Sequence, residues 1–270
     1  MGFVTASAPG KCILFGEHAV VYGHPAVAVA IDQRISVKIQ PSPNRLWLLD
    51  GSSLNMNRNP HIRGLIEKLW PQQHGAPALS IHIKGNIPRA SGLGSSAALS
   101  VATAAALRMA RGRWVSKTGG TQQQYWLEGF GSTITKSEPY DNSPGFLAPE
   151  SSAERYHITG KSSVDSGECA ILAHSVEAAA QQGRASPMDS STCSHGGIVI
   201  ISDVIEQGID YLYQRTLAMQ DATRQWHIHE MSPPTNSDEV YLVIGSTGIY
   251  APTGKQVAKV ADMLQQDPSR

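Results

Sequence analysis

Pro88-Arg89-Ala90-Ser91-Gly92-Leu93-Gly94-Ser95-Ser96-Ala97-Ala98 is the stretch that says most about the fold. It follows the run Leu79 to Ile83, whose alternating apolar residues predict a strand, and it opens the Ala- and Leu-rich run Ser95 to Met109, which predicts a buried helix. Glycines at such a junction let the backbone approach a ligand, and a helix start presents free N–H groups and a positive dipole end. The stretch therefore suits a phosphate group, to which Ser95 and Ser96 can add hydroxyls.

Taken alone, this glycine loop leaves several readings open. A helix N-terminus tightened by small residues explains a single G-x-G-x-x-A match about as well as a ligand site does. No Gly-Lys-Ser/Thr follows, which excludes a Walker loop, and no acidic residue follows at the distance that a nicotinamide site needs. A variant nucleophile elbow at Gly94–Ala97, with Asp189 and His195 completing a hydrolase triad, is a further hypothesis.

Composition narrows the class of protein. The 270 residues are enough for one large domain or two ordinary ones. Lys plus Arg and Asp plus Glu both number 22, and this balance argues against a nucleic-acid binder held by a basic field. The chain has no apolar run of membrane-spanning length, Met1–Ala6 lacks the features of a secretory signal, and the three cysteines include no C-x-x-C pair. We expect a reduced, cytoplasmic protein that binds neither nucleic acid nor membrane.

Hydrophobic periodicity predicts the remaining elements. A helix is predicted to begin with Asn59 as N-cap and Pro60 at its first position and to end before Pro71. The other predicted elements are two neighbouring strands over Val27–Ile31 and Ile35–Ile39, a helix over Cys169–Gln182, a turn over Gly183–Pro187, a strand over Gly197–Ile201, a strand face over Trp226–Glu230, a strand over Glu239–Ile244 and a helix over Gln256–Leu264.

The segment 111–168 differs in kind from the rest of the chain. It is poor in Leu, Ile, Val and Phe and rich in Gly, Pro and Ser, so it offers little for a packed core. We predict a loop-like segment or a divergent insertion.

A second motif lies near the start: Ala8-Pro9-Gly10-Lys11-Cys12-Ile13-Leu14-Phe15-Gly16-Glu17-His18-Ala19-Val20-Val21-Tyr22-Gly23. Lys11 and the pair Glu17-His18 are embedded in small and apolar residues, where charged groups are costly to desolvate. They therefore lie either at a cleft or at a surface turn.

The two motifs together resemble the first two signature motifs of the galactokinase, homoserine kinase, mevalonate kinase and phosphomevalonate kinase (GHMP kinase) superfamily. The sequence of Gly16–Gly23 resembles the first motif of mevalonate kinases. In galactokinases this motif contains Arg and Asn instead. The segment Gly183–Thr192, followed by Gly196-Gly197, is similar to the mevalonate kinase segment that carries the catalytic aspartate. The resemblance covers residues 1 to about 108 and 169–203 well, and 239–264 less closely.

The resemblance implies an α+β GHMP kinase fold of two domains. The larger, ribosomal-protein-like N-terminal domain with the ATP site would span residues 1–203 and contain the divergent segment 111–168. A ferredoxin-like C-terminal domain would span 204–270 and be truncated, since the family's glycine-rich third motif does not occur in the chain.

The resemblance also implies the chemistry, which is the ATP- and Mg²⁺-dependent phosphorylation of mevalonate to 5-phosphomevalonate in isoprenoid synthesis. Asp189 would take the proton of the primary hydroxyl, Lys11 would lower the pKa of that hydroxyl, and Glu17 and His18 would contact mevalonate. A phosphomevalonate kinase and a catalytically impaired relative that binds nucleotide are the alternatives, and a homodimer is a further expectation. The residues expected to hold ATP are Pro88, Ala90, Ser91, Gly92, Leu93, Gly94, Ser95, Ser96 and Ala97.

The resemblance further implies that Ser96 and Glu177 ligate Mg²⁺. Glu177 precedes Asp189 by one residue more than the family spacing leads us to expect. One residue corresponds to about 100° of helix, so this spacing predicts that Glu177 faces away unless the helix carries a bulge.

Overall fold

In a computed structural model, the chain forms a mixed sheet with helices packed against it. Its described residues are 3–17, 20, 24–70, 78–88, 91–111, 165–181, 185–218, 223–232 and 241–245, together with the backbone of 113–118, 121–128 and 132–139. The elements are β1 Val4–Phe15, β2 Ala26–Pro41, β3 Leu48–Leu49, β4 Ser52–Ser53, α1 Pro60–Leu69, β5 Leu79–Gly85, α2 Ser95–Arg111, β6 Arg113–Thr118, β7 Thr121–Glu128, β8 Ser132–Pro139, α3 Ser166–Ala180, α4 Met188–His195, β9 Ile198–Ser202, β10 Asp210–Ala218 and β11 Thr223–Met231.

The main sheet has the strand order β10-β11-β9-β2-β5-β3-β4, with β1 paired to β2. The pair β3–β5 is parallel and the other pairs are antiparallel. The predicted α+β class is therefore confirmed. Among the described helices, none is long and apolar enough to cross a membrane.

Two strands were predicted where the structure has one. The strand β2 runs without interruption from Ala26 to Pro41, so the prediction of two neighbouring strands is wrong. Its first part pairs with β9 and its second part with β5, while β1 pairs with both parts across a register shift between Pro9 and Lys11. The break in the apolar pattern therefore marks a bulge and a change of partner rather than a turn.

Most locally encoded elements lie where they were predicted. The strand β5, the helices α1, α2 and α3, and the strands β9 and β11 agree with the prediction to within a few residues. Asn59 is the N-cap residue of α1, although its amide donates to the carbonyl of Asn55 at 2.9 Å instead of capping the helix. Pro71, the first two residues of the turn Gly183–Pro187 and the helix Gln256–Leu264 lie outside the described residues.

Two further predictions are wrong in part. Within the segment 111–168, the strands β6, β7 and β8 form an antiparallel sheet, so residues 113–118, 121–128 and 132–139 are not loop-like. Thr, Tyr and Trp favour strands and are frequent there, but a count of Leu, Ile, Val and Phe overlooks them. At the other end, residues 241–245 lie outside any strand, and Val243 is 91% exposed. A run of apolar residues forms a strand only where a neighbouring strand takes up its backbone hydrogen bonds.

The helices bury two apolar clusters against the sheet. The larger cluster joins α1, α2 and α3 to β2 and β5 through residues such as Leu65, Ile81, Leu107 and Leu172. The smaller cluster surrounds Met188 and Trp226 and includes residues of β2, β9 and β11. The boundary between residues 203 and 204 remains a prediction, and the hairpin of β10 and β11 continues the sheet of β9 beyond it.

Candidate active site

Lys11 and Asp189 form the centre of the candidate site. Lys11 lies on β1 and its side chain is 4% exposed, whereas Asp189 lies in the first turn of α4 and its side chain is 36% exposed. Lys11 Nζ lies 3.0 Å from Asp189 Oδ1. A buried ammonium is stable only when it is paired, and this carboxylate supplies the counter-charge. The structure thus decides against a surface turn for Lys11.

The glycine loop packs directly on Lys11. The backbone N–H of Lys11 donates to the carbonyl of Leu93 at 3.0 Å. Gly94 has a φ of +71°, and a Cβ there would lie 2.7 Å from Lys11 Cγ. Glycine is therefore required twice at position 94, by its backbone conformation and by the lysine stem. Gly92 has a φ of +75° but faces open space.

Beyond the glycines, the predicted ATP residues contribute mainly backbone groups. The start of α2 presents N–H groups that have no acceptor within the helix, which suits an anion. Ala97 is fully buried, so it can offer a ligand only its backbone. The hydroxyl of Ser91 donates to the carbonyl of Pro88 at 2.7 Å and closes the loop at its start. Ala90 lies outside the described residues.

Glu177 on α3 faces the ion pair in spite of its shifted spacing. It is 4% exposed, and burial followed by the charge of Asp189 raises its pKa to about 8, while Lys11 lowers it. The helix α3 ends at Ala180 and residues 185–187 before α4 are not helical, so the number of residues between Glu177 and Asp189 does not fix the direction in which Glu177 points. The prediction that Glu177 faces away is therefore wrong.

The donor set around Glu177 fits a Mg²⁺ ion. A carboxyl with a pKa of about 8 is mostly protonated at neutral pH, because burial and Asp189 both disfavour its charge. A divalent cation would reverse both effects by supplying positive charge. Among the described residues, no group of three or more His, Cys, Asp and Glu is placed to hold a metal. Mg²⁺ needs no such group when phosphates and water complete its shell.

Ser96 makes a contact that the sequence does not reveal. Its hydroxyl lies 3.2 Å from Nε2 of His61, on α1, and Nδ1 of the same ring lies 3.3 Å from the hydroxyl of Ser100. Burial lowers the pKa of His61. The hydrolase hypothesis fails here, because the histidine at Ser96 is His61 and not His195, and Asp189 pairs with Lys11.

A hydrogen-bonded triad that the sequence analysis did not predict lies behind the site. The ring of His174 donates from Nε2 to the carbonyl of Ala185 at 2.9 Å and accepts at Nδ1 from Nε of Arg215 at 2.9 Å. Burial lowers the pKa of His174 to about 4, so the ring is neutral. The triad links α3 and β10 to the segment that leads into α4. The one available signal was spacing, since His174 lies three residues before Glu177 on the same helix face.

Of the two residues expected to contact mevalonate, the structure describes one. Glu17 follows β1 and is exposed, and His18 lies outside the described residues. The segment that follows is anchored at Val20, which is buried and whose carbonyl accepts from the indole N–H of Trp226 at 3.1 Å.

Comparisons with known proteins identify relatives of this chain. The sequence profile of the GHMP kinases N terminal domain matches residues 61–128. The mevalonate kinase of Methanothermobacter thermautotrophicus is 32% identical over 200 residues, which are 73% of this chain and 50% of that enzyme. The mevalonate kinase of Archaeoglobus fulgidus is 47% identical over 104 residues, which are 38% of this chain and 36% of that enzyme. The chain thus spans half or less of the length of these relatives.

One solved structure supports the fold across the chain. The mevalonate kinase of L. major in complex with R-mevalonate matches with a TM-score of 0.52 and 20% identity, over 100% of this chain and 63% of that one. The profile match shows that the chain contains a GHMP kinase N-terminal domain over residues 61–128, and the L. major enzyme matches the fold of the chain. The two sequence relatives named above are both mevalonate kinases.

Proposed function

We propose that this protein transfers the γ-phosphoryl group of ATP to the primary hydroxyl of mevalonate, giving 5-phosphomevalonate and ADP. The observation that carries the proposal is the contact between Lys11 and Asp189 beside the glycine loop. This contact supports the proposal because a carboxylate that can accept a proton and a cation lie next to the start of α2, which suits phosphates. The identity of the substrate rests on the sequence relatives, which are mevalonate kinases.

The reaction assigns one task to each group. Asp189 accepts the hydroxyl proton of mevalonate as the oxygen attacks the γ-phosphorus, and the bond between that phosphorus and the β-phosphate oxygen breaks to release ADP. Lys11 lowers the pKa of the hydroxyl and balances the negative charge of the moving group. The backbone of Gly92–Ser96 cradles the ATP phosphates. Ser96 and Glu177 would hold Mg²⁺, which neutralises phosphate charge when bound.

Four expectations accompany this proposal. Glu17 and His18 contact mevalonate, as the sequence motif suggests. The protein works in the cytoplasm, and it forms a homodimer. Nucleic acids are not among its partners, in line with the balanced charge of the chain.

The test is ADP release from ATP and Mg²⁺ with and without mevalonate, in the wild-type chain and in Asp189→Ala. We expect mevalonate-dependent release that the variant loses while it keeps a cooperative melt and its ATP affinity. Asp203→Ala is the matched control, since Asp203 is an exposed aspartate in the turn after β9. Unchanged turnover in Asp189→Ala would refute its role as base. Nucleotide binding without any turnover would favour the impaired relative, and release only with 5-phosphomevalonate would favour the phosphomevalonate kinase.

A further inference from the structure

A small hydrogen-bond network connects α1 to the start of α2. Its members are His61 on α1 and Ser96 and Ser100 on α2, at distances of 3.2 and 3.3 Å from the two ring nitrogens. A third hydrogen bond, of 3.0 Å, runs from the hydroxyl of Ser100 to the carbonyl of Ser96. Ser100 is fully buried, whereas Ser96 is exposed at the mouth of the site.

Counting protons determines the direction of every bond in this network. The single hydroxyl proton of Ser100 is used on the carbonyl of Ser96, since a carbonyl can only accept. The hydroxyl oxygen of Ser100 therefore accepts from Nδ1–H of His61. In the neutral tautomer that carries its proton on Nδ1, Nε2 carries no proton and accepts from the hydroxyl of Ser96.

This direction suits Ser96 to a cation. A hydroxyl that ligates a metal offers an oxygen lone pair, and its proton must point elsewhere. His61 takes that proton on the side of α1, so the lone pairs of Ser96 remain available on the opposite side.

The packing of α1 connects it to both α2 and α3, the helices that carry Ser96 and Glu177. A Cβ at Gly64 would lie 2.8 Å from the side chain of Val176, so α1 and α3 touch at this glycine. Gly64 lies one turn after His61, and Val176 precedes Glu177. The helix α1 therefore contacts α2 through His61 and α3 through Gly64.

We propose that His61 is a positioning residue for Ser96: it accepts the hydroxyl proton and holds the oxygen in the orientation that ligates the divalent cation of bound ATP. This inference rests on the proposed function, because it takes Ser96 as a ligand of Mg²⁺. Hydrogen-bond partners of metal ligands typically change metal affinity 10- to 100-fold, roughly, when they are removed.

The test measures Mn²⁺ binding to the full chain with the ATP analogue AMP-PNP, by the loss of the free Mn²⁺ signal in electron paramagnetic resonance. We expect His61→Phe to weaken Mn²⁺ binding about 10-fold and to leave AMP-PNP binding in EDTA unchanged. His61→Gln keeps an acceptor for the Ser96 proton, so it should stay within about 3-fold of the wild type. His82→Phe is the matched control, since His82 also contacts a serine hydroxyl, that of Ser80 at 3.2 Å, but on β5.

A double-mutant cycle separates positioning from a structural role. Once Ser96→Ala has removed the oxygen, adding His61→Phe should weaken Mn²⁺ binding no further. Additive losses, or wild-type Mn²⁺ binding in a folded His61→Phe, would overturn the inference while leaving the proposed function in place. If His61→Phe does not fold, Ser100→Ala takes its place, with an expected loss of about 3-fold, and wild-type binding would overturn the inference. Wild-type Mn²⁺ binding in both Ser96→Ala and Glu177→Gln would refute the metal site of the proposed function, and this inference with it.

Discussion

Lys11 and Asp189 come from distant parts of the sequence and meet at 3.0 Å, with the lysine buried and the aspartate partly exposed. The pair can act on a ligand, because the Asp189 carboxylate remains accessible while the Lys11 side chain is held in a buried position. Glu177 lies close enough to both for their charges to shift its pKa. The cluster thus combines an ion pair with a neighbouring carboxyl whose pKa is raised.

The first prediction concerns the cation of this cluster. Lys11→Met keeps much of the buried stem but removes the charge, so the moving phosphoryl group loses its electrostatic partner. We expect turnover to fall about 100-fold or more, while ATP binding changes little. The measurement is mevalonate-dependent ADP release, with Lys84→Met, an exposed lysine on β5, as the control. Turnover within a few-fold of the wild type would show that Lys11 only fills space.

The second prediction compares two glycines of one loop. Gly92→Ala and Gly94→Ala both place a Cβ on a left-handed backbone, which costs about 1–2 kcal/mol of stability each. Only the Cβ at position 94 would meet Lys11, at 2.7 Å from its Cγ. We expect similar losses of stability from strain, with a further loss and at least a 10-fold drop in turnover in Gly94→Ala alone. Urea unfolding and ADP release measure the two effects, and equal turnover in the two variants would contradict the packing described here.

The third prediction is that one substitution, at Glu177, raises stability and lowers metal affinity. Glu177→Gln removes a carboxyl whose pKa of about 8 lies far above its ordinary 4.5. Because the wild-type group ionises in a buried site above about pH 8, the variant should raise the Tm of the metal-free protein, and more at pH 9 than at pH 6. Its affinity for Mn²⁺ with AMP-PNP should fall at least about 10-fold.

Thermal melts in EDTA at both pH values test this opposition. Glu67→Gln, at an exposed site on α1, controls for the loss of a charge elsewhere. A Tm gain that is larger at pH 6 than at pH 9 would contradict the raised pKa of Glu177.

The fourth prediction concerns acid stability. The pKa of His174 falls from 6.5 to about 4 on burial, so between these values the unfolded chain binds a proton that the folded chain does not. The free energy of unfolding should therefore fall as the pH drops from 6.5 toward 4, by up to about 3 kcal/mol, and should not depend on His174 above 6.5. His174→Gln, whose amide can replace both hydrogen bonds, should reduce this dependence.

Urea unfolding at pH 7.5 and pH 5 measures the difference. His24→Gln is the matched control, since His24 is exposed. Equal pH dependence in the wild type and in His174→Gln would mean that the acid sensitivity arises at another group.

Some of the fold could be predicted because its causes are local. The alternation in Leu79–Ile83 and the small residues after Gly94 predict β5 and α2, since strand and helix periodicity are properties of neighbouring residues. The strand β2 could not be predicted as a single element, because its bulge depends on which strands lie on either side of it. The strands β6 to β8 were missed because only aliphatic residues and Phe were counted as signals for a core.

The sequence by itself determined the chemistry that is available: a glycine loop at a helix start, a lysine in an apolar run, and an aspartate and a glutamate at nearly the family spacing. The tertiary structure alone decided what these groups do to one another. The pairing of Lys11 with Asp189, the proton held by Glu177 and the contact of Ser96 with His61 each depend on distance and burial. Charge interactions fall with distance and rise with desolvation, and both are set by how α1, α3 and α4 pack against α2 and β1.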